Sequence, residues 1–212
     1  MILLRAKNVK FKVTYINLQD KPGWFLEISP HGKVPVLVVD EVPLFESNAI
    51  AEYLDEVVPP RCHPQDPIER AQNRAWTDFV GDFAKALSST YYTKSRAETD
   101  AAIEASPKAI AKLEDALALR QDNGGPYFNG LNLSLVDAAY APFLQRFAMV
   151  EPKLGTGLLK DFPLVQAWSD ALLANETVSG AVVDSFAEKF VASLKRREFY
   201  VGTLYETAAA AE

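Results

Sequence analysis

Residues 21–56 read KPGWFLEISPHGKVPVLVVDEVPLFESNAIAEYLDE, and the fold turns on how this stretch is parsed. At its centre, residues 34–39 (VPVLVV) form a short continuous apolar run, as expected of a strand buried on both faces. Asp40-Glu41 makes a tight turn without the glycine such turns usually carry, and Val42-Pro43-Leu44-Phe45 returns as the second arm of a hairpin. Pro43 has no N–H to give, which places that arm at a sheet edge. Ser47 then caps a helix on one face of which Ile50, Leu54 and Val57 recur at i, i+4 and i+7. Between Pro22 and Pro30 lies a short helix or irregular segment around Trp24, Phe25 and Ile28.

Upstream, residues 11–18 (FKVTYINL) are β-branched and aromatic and predict a further strand, with Tyr15 packed from it. Downstream the pattern changes. Residues 58–67 (VPPRCHPQDP) hold four prolines and predict a stiff linker. Beyond it nearly everything has helical periodicity. Helices are expected over 68–95, over 107–120 with Pro107 in the first turn, from Leu135 onward, and over 163–174 and 176–197. Ser134 precedes Asp137 by three residues, a capping-box start, and Pro142 sits inside the helix that follows. Asp122 to Pro126 breaks the chain sharply, and the alanine-rich tail from Glu206 to Glu212 is expected to fray. The domains expected are thus 1–57 (α/β), a linker at 58–67, and 68–212 (all-α).

Composition narrows the function. The chain has 212 residues, 49% of them hydrophobic, and a formal net charge of −6. An acidic balance disfavours non-specific nucleic-acid binding, which needs surplus Lys and Arg. With one cysteine, Cys62, no internal disulfide can form, and two histidines with one cysteine are too few for the usual Cys/His metal site. No apolar run approaches the ~18 residues of a membrane span, and the opening MILLRAKNVK has no secretory pattern. A cytoplasmic protein without metal, membrane or nucleic-acid partner is the expectation.

Lys21-Pro22 before Trp24-Phe25, then Pro30 and Gly32, Val34-Pro35, Glu46-Ser47 and Ile50 together resemble the glutathione-binding core of glutathione transferases, most similarly the omega-like class and its bacterial relatives. Residues 130–144 (GLNLSLVDAAYAPFL) resemble the capped helix of the family's second domain. The resemblance implies a thioredoxin-like N-terminal domain followed by an all-helical C-terminal domain, with glutathione as co-substrate and a homodimer as the assembly. It also implies the site. The main chain of Val34, before a cis Pro35, pairs with the cysteinyl part of glutathione as an added strand would. Ser47 and the helix it opens meet the γ-glutamyl carboxylate, Glu46 accepts from the amine, and Lys21 meets the glycyl carboxylate. Singly each residue has a plainer reading: a cap, a strand start, a solvated lysine. Their order and spacing point to the site.

The sequence departs from the family at its start. Residues 2–8 resemble the last turns of the first helix, so the first strand and the catalytic cysteine, serine or tyrosine at its junction with that helix are expected before Met1, as in a truncated chain. Cys62, flanked by prolines, is read as a structural thiol rather than a nucleophile. His31 and His63 are read as loop and linker, and Lys195-Arg196-Arg197 as a solvated helix end. Of Phe79, Phe83, Tyr91, Tyr92, Tyr140, Phe143 and Phe147, two or three are expected to face a small electrophilic or disulfide substrate and the rest to be core. The activity implied is conjugation, or thiol transfer and reduction. The alternative is a non-catalytic binding protein of the same fold, as in the stringent starvation proteins.

Overall fold

A computed structural model describes residues 1–207. The chain opens with α1 (Ile2–Ala6) and α2 (Gly23–Ile28), followed by a hairpin of β1 (Val36–Val39) and β2 (Val42–Phe45) and by α3 (Ser47–Val57). The two strands are antiparallel, with Val36 opposite Phe45 and Val39 opposite Val42. The missing glycine is explained by the turn itself: Asp40 and Glu41 both take positive φ, 47° and 70°. That is the sense of twist a two-residue hairpin requires. Pro43 lies on β2, whose only partner among the described residues is β1.

Three expectations for this region are corrected. Residues 11–18 form no strand, because none of their backbone groups finds a ladder partner among the described residues. Propensity alone does not hold a strand. For the same reason Tyr15 is not packed but 66% exposed. The apolar run of β1 is not buried on both faces either: Val38 is exposed, and α3 covers one side of the two-stranded sheet.

The helical part contains α4 (Pro67–Ser89), α5 (Arg96–Ala105), α6 (Pro107–Ala118), α7 (Leu135–Leu154), α8 (Pro163–Ala174), α9 (Glu176–Ser179), α10 (Phe186–Arg196) and α11 (Tyr200–Thr207). The helix expected over 68–95 stops at Ser89. There Ser89 and Thr90 hydroxyls donate back to the Ala86 and Leu87 carbonyls, and a new capping box of Ser95 and Glu98 starts α5. The helix expected over 176–197 is two. It breaks at Gly180, where a Cβ would lie 2.4 Å from the Arg5 guanidinium. Arg5 donates to the Glu176 and Thr177 carbonyls, so α1 docks on the end of α9. Glu206 and Thr207 continue α11, and the rest of the tail expected to fray lies outside the described residues.

The main core lies in the helical part, where Phe83 and Leu87 of α4, Ile110 and Leu113 of α6, Tyr140 and Leu144 of α7 and Trp168 of α8 meet. Asp137 is its polar pin. Fully buried, it accepts from Phe128 N, Ser134 N, the Ser134 hydroxyl and Trp168 Nε1 at 2.6–3.0 Å. Four donors on one carboxylate satisfy a group that burial would otherwise make costly. A smaller cluster joins Leu3, Ile50, Leu54 and Leu135, tying α1 and α3 to the start of α7.

Candidate functional site

The hairpin brings two of the expected pairs to one end. With Val36 opposite Phe45, Val34, two residues before β1, and Ser47, two residues after β2, both lie just beyond the same end of the hairpin. The Val34–Pro35 peptide is cis. Both residues are exposed, Val34 by 49%. Lys21 approaches the same end: its Nζ lies 3.6 Å from where a Cβ on Gly32 would stand, two residues before Val34. Gly32 holds φ +58°, which a side chain would strain. The ring of His31 sits edge-on to Phe45 at 5.5 Å, bordering this end from the other side.

Ser47 does not cap α3. Glu46 is the N-cap, at φ 64°, and Ser47 is the first helical residue, so no side chain caps the helix. Once Glu46 makes the turn, Ser47 takes helical angles and its hydroxyl leaves the capping position. The consequence is an open helix start. Ser47, Asn48 and Ala49 are exposed, and none of their N–H groups donates to a described group. Unpaired N–H groups at the positive end of a helix dipole make a receptor for a carboxylate. Glu46, exposed beside them, supplies an acceptor for a cation.

The other end of α3 is anchored by charge. Lys7 and Asp55 form an ion pair at 2.9 Å with both side chains buried. Lys7 Nζ also donates to the Val58 and Pro60 carbonyls, at 2.5 and 2.7 Å. Asp55 accepts from Cys62 N and His63 N, at 2.6 and 3.1 Å. Burial alone would push the Asp55 carboxyl up, but these hydrogen bonds and Lys7 outweigh it and hold it below the usual carboxylate range. One turn earlier, Glu52 accepts from His63 Nε2 and Arg74 Nη2, at 2.7 and 2.6 Å. It too is held below its ordinary value, the bonds from Arg74 and His63 overcoming its burial. His63 is therefore not a free linker residue. This chain of charges fixes α3 against α4. Local pattern gives no sign of it, because its members lie 7 to 53 residues apart.

Cys62 is half-buried, and burial, the leading cause, raises its thiol to about 11. A thiol so poised is a weak nucleophile. Of the aromatic candidates, Phe83, Tyr91, Tyr140 and Phe147 are core, and Phe143 packs against it. Tyr92 is 39% exposed and packs its ring at a tilt against Phe199, 5.1 Å between centroids. Phe79 alone among the seven lines a cavity of about 940 Å³, between the 61–64 segment, α4, α6 and the 128–133 loop. Val34, Pro35, Glu46 and Ser47 are not part of that cavity; the two sites are distinct. Among the described residues no helix is long and apolar enough to cross a membrane, and no cluster of metal-ligating side chains occurs.

Comparison with known proteins agrees with this architecture. The family model described as glutathione S-transferase, N-terminal domain, matches residues 1–56, and that of the C-terminal domain matches residues 96–171. The chain is 30% identical over 181 residues to the probable glutathione S-transferase parA of Nicotiana tabacum, covering 84% of this chain and 80% of that one. It is 28% identical over 187 residues to glutathione S-transferase omega-1 of Rattus norvegicus, covering 87% and 75%. Among solved structures it is similar to rice GST1 in complex with glutathione, with a TM-score of 0.76, 25% identity and coverage of 92% and 90%.

Proposed function

The chain belongs to the glutathione S-transferase family, and from that premise we propose that it binds glutathione at the end of the β1–β2 hairpin and transfers it to a small electrophile or uses it to reduce an oxidised substrate. The observation that carries this reading is the juxtaposition of an exposed strand entry at Val34 with the uncapped start of α3. Glutathione is an extended tripeptide with two carboxylates, an amine and a thiol. Its cysteinyl main chain pairs with Val34 as a short added strand. Its γ-glutamyl carboxylate takes the free N–H groups of Ser47 and Asn48 and the Ser47 hydroxyl, and its amine meets Glu46. Lys21 stands beside Gly32 for the glycyl carboxylate.

In the reaction the thiol gives up its proton and the sulfur bonds either to an electrophilic carbon, whose leaving group departs with the bonding pair, or to one sulfur of a disulfide, whose S–S bond breaks and releases the other half as a thiolate. An unperturbed thiol ionises near pH 8.5, so a neighbouring donor must favour the thiolate. Cys62, half-buried with its thiol raised to about 11, is poorly suited to serve as that group or as a nucleophile. The proposed assembly is a homodimer in the cytoplasm. A non-catalytic binding protein of the same fold predicts no retention on glutathione. Passage over immobilised glutathione, with elution by the free tripeptide, tests the reading directly. Retention is expected, and flow-through would overturn it.

A further inference from the structure

The hairpin has two outer edges, and only one of them is blunted. Val38 lies opposite Pro43. Pro43 has no N–H, so these two cannot exchange the paired bonds of an antiparallel ladder. Hydrogen-bonded and non-hydrogen-bonded pairs alternate along such a ladder, so the N–H and C=O of Val38, and of Val36 two residues back, turn to the outer edge of β1. None of these groups has a partner among the described residues. On the far side the proline itself blunts β2, a usual protection of strand edges. The open edge therefore belongs to β1, whose four residues are all apolar.

Residues 11–18 hold the complement. Phe11, Val13, Tyr15 and Leu18 are exposed, and no backbone N–H or C=O of the segment is paired among the described residues. Side chains of this kind suit a strand once a neighbouring strand is present. The charges match as well. The stretch from Lys10 to Leu18 carries Lys10 and Lys12 and no carboxylate, while the turn after β1 carries Asp40 and Glu41. All four are exposed, and none is in an ion pair among the described residues. Within one copy the segment and the edge form no ladder. An antiparallel pairing with Thr14 opposite Val38 would set Val13 opposite Val39, Tyr15 opposite Leu37 and Ile16 opposite Val36. Apolar side chains then meet apolar side chains, and Lys12 falls opposite Asp40.

We propose that the two subunits of the homodimer exchange this strand: each lays residues 12–16 antiparallel along the open edge of the other's β1, with Lys12 of one copy against Asp40 of the next. The inference rests on the homodimer reading and not on glutathione binding, since the pairing ends at Val36 and leaves Val34 free. Each copy lends one strand and receives one, so the contact is the same on both sides and closes at two copies. Sedimentation velocity of the full chain tests it. The wild-type chain should run as a dimer. Thr14→Pro removes an N–H that has no partner within one copy but that the exchange needs, and it should give a monomer with an unchanged circular dichroism spectrum. Lys12→Glu alone and Asp40→Lys alone should each weaken dimerisation at least about tenfold, because both attractive contacts of the dimer become repulsive. Mixing these two variants should restore wild-type affinity, since opposite charges then face each other at both contacts; a contact within one copy cannot be repaired by mixing. A wild-type monomer would overturn the homodimer and the exchange together. A dimer that tolerates Thr14→Pro, single charge variants that dimerise like wild type, or a mixture no tighter than either variant alone would overturn the exchange and leave the homodimer standing.

Discussion

Replacing Lys7 with methionine should destabilise the fold by about 3–5 kcal/mol, the usual effect of removing one partner from a buried ion pair. Methionine fills the space of the lysine stem, so the loss is that of the ammonium group alone. Three acceptors depend on it: Asp55 Oδ1 at 2.9 Å, and the Val58 and Pro60 carbonyls at 2.5 and 2.7 Å. Each buried acceptor left unmatched costs about 1–3 kcal/mol, and Asp55 keeps only the Cys62 and His63 N–H donors. For a chain of this size each kcal/mol moves the melting temperature by roughly 2–4 °C, so a drop of roughly 6–20 °C is expected. Circular dichroism melts and urea titrations measure it. The pH dependence supplies a second check. The Asp55 pKa is depressed in the native state, so its stabilisation is present above the unfolded value near pH 4 and fades as pH falls through the native one. The gap between wild type and variant should therefore narrow below roughly pH 4. A shift under about 2 °C, or a gap that does not change on acidification, would refute the view that this pair holds α3 to the linker.

Ser47→Ala should weaken glutathione binding by about tenfold, the worth of one hydroxyl donor to a carboxylate, with an unchanged melt because the hydroxyl caps nothing; calorimetric titration measures the first effect and a circular dichroism melt the second. Asp137→Ala strips four buried donors of their acceptor and should cost at least about 3 kcal/mol in urea unfolding. With its thiol raised to about 11, Cys62 should react with iodoacetamide at pH 8 roughly a hundredfold more slowly in the native protein than in the unfolded chain; comparable rates would contradict its burial.

The sequence was most informative where one local rule governs structure. The hairpin follows from an apolar run, a two-residue turn and a return. The start of α7 follows from Ser134 and Asp137, and the exact span of α8 from Pro163 and its periodicity. Ser95 and Glu98 obey the same capping rule as Ser134 and Asp137, but the apolar rhythm of α4 masks them. Residues 11–18 have the composition of a strand, and composition cannot supply the partner that a ladder requires. At Gly180, where the helix breaks, Arg5 packs from the other end of the chain so closely that a Cβ would lie 2.4 Å from it, a contact that no window of sequence contains. The proposed site residues rest on a family pattern, and the open start of α3 beside them depends on Glu46 rather than Ser47 taking the cap.

The central claim is that glutathione lies across the hairpin end, with its main chain on Val34 and its γ-glutamyl carboxylate at the start of α3. Amide NMR of the labelled protein during a glutathione titration tests it most directly. The N–H signals of Val34, Ser47 and Asn48 should shift together along one saturable curve, while those lining the cavity beside α4 stay in place. Saturable shifts confined to other regions, or no shifts at millimolar glutathione, would contradict the account.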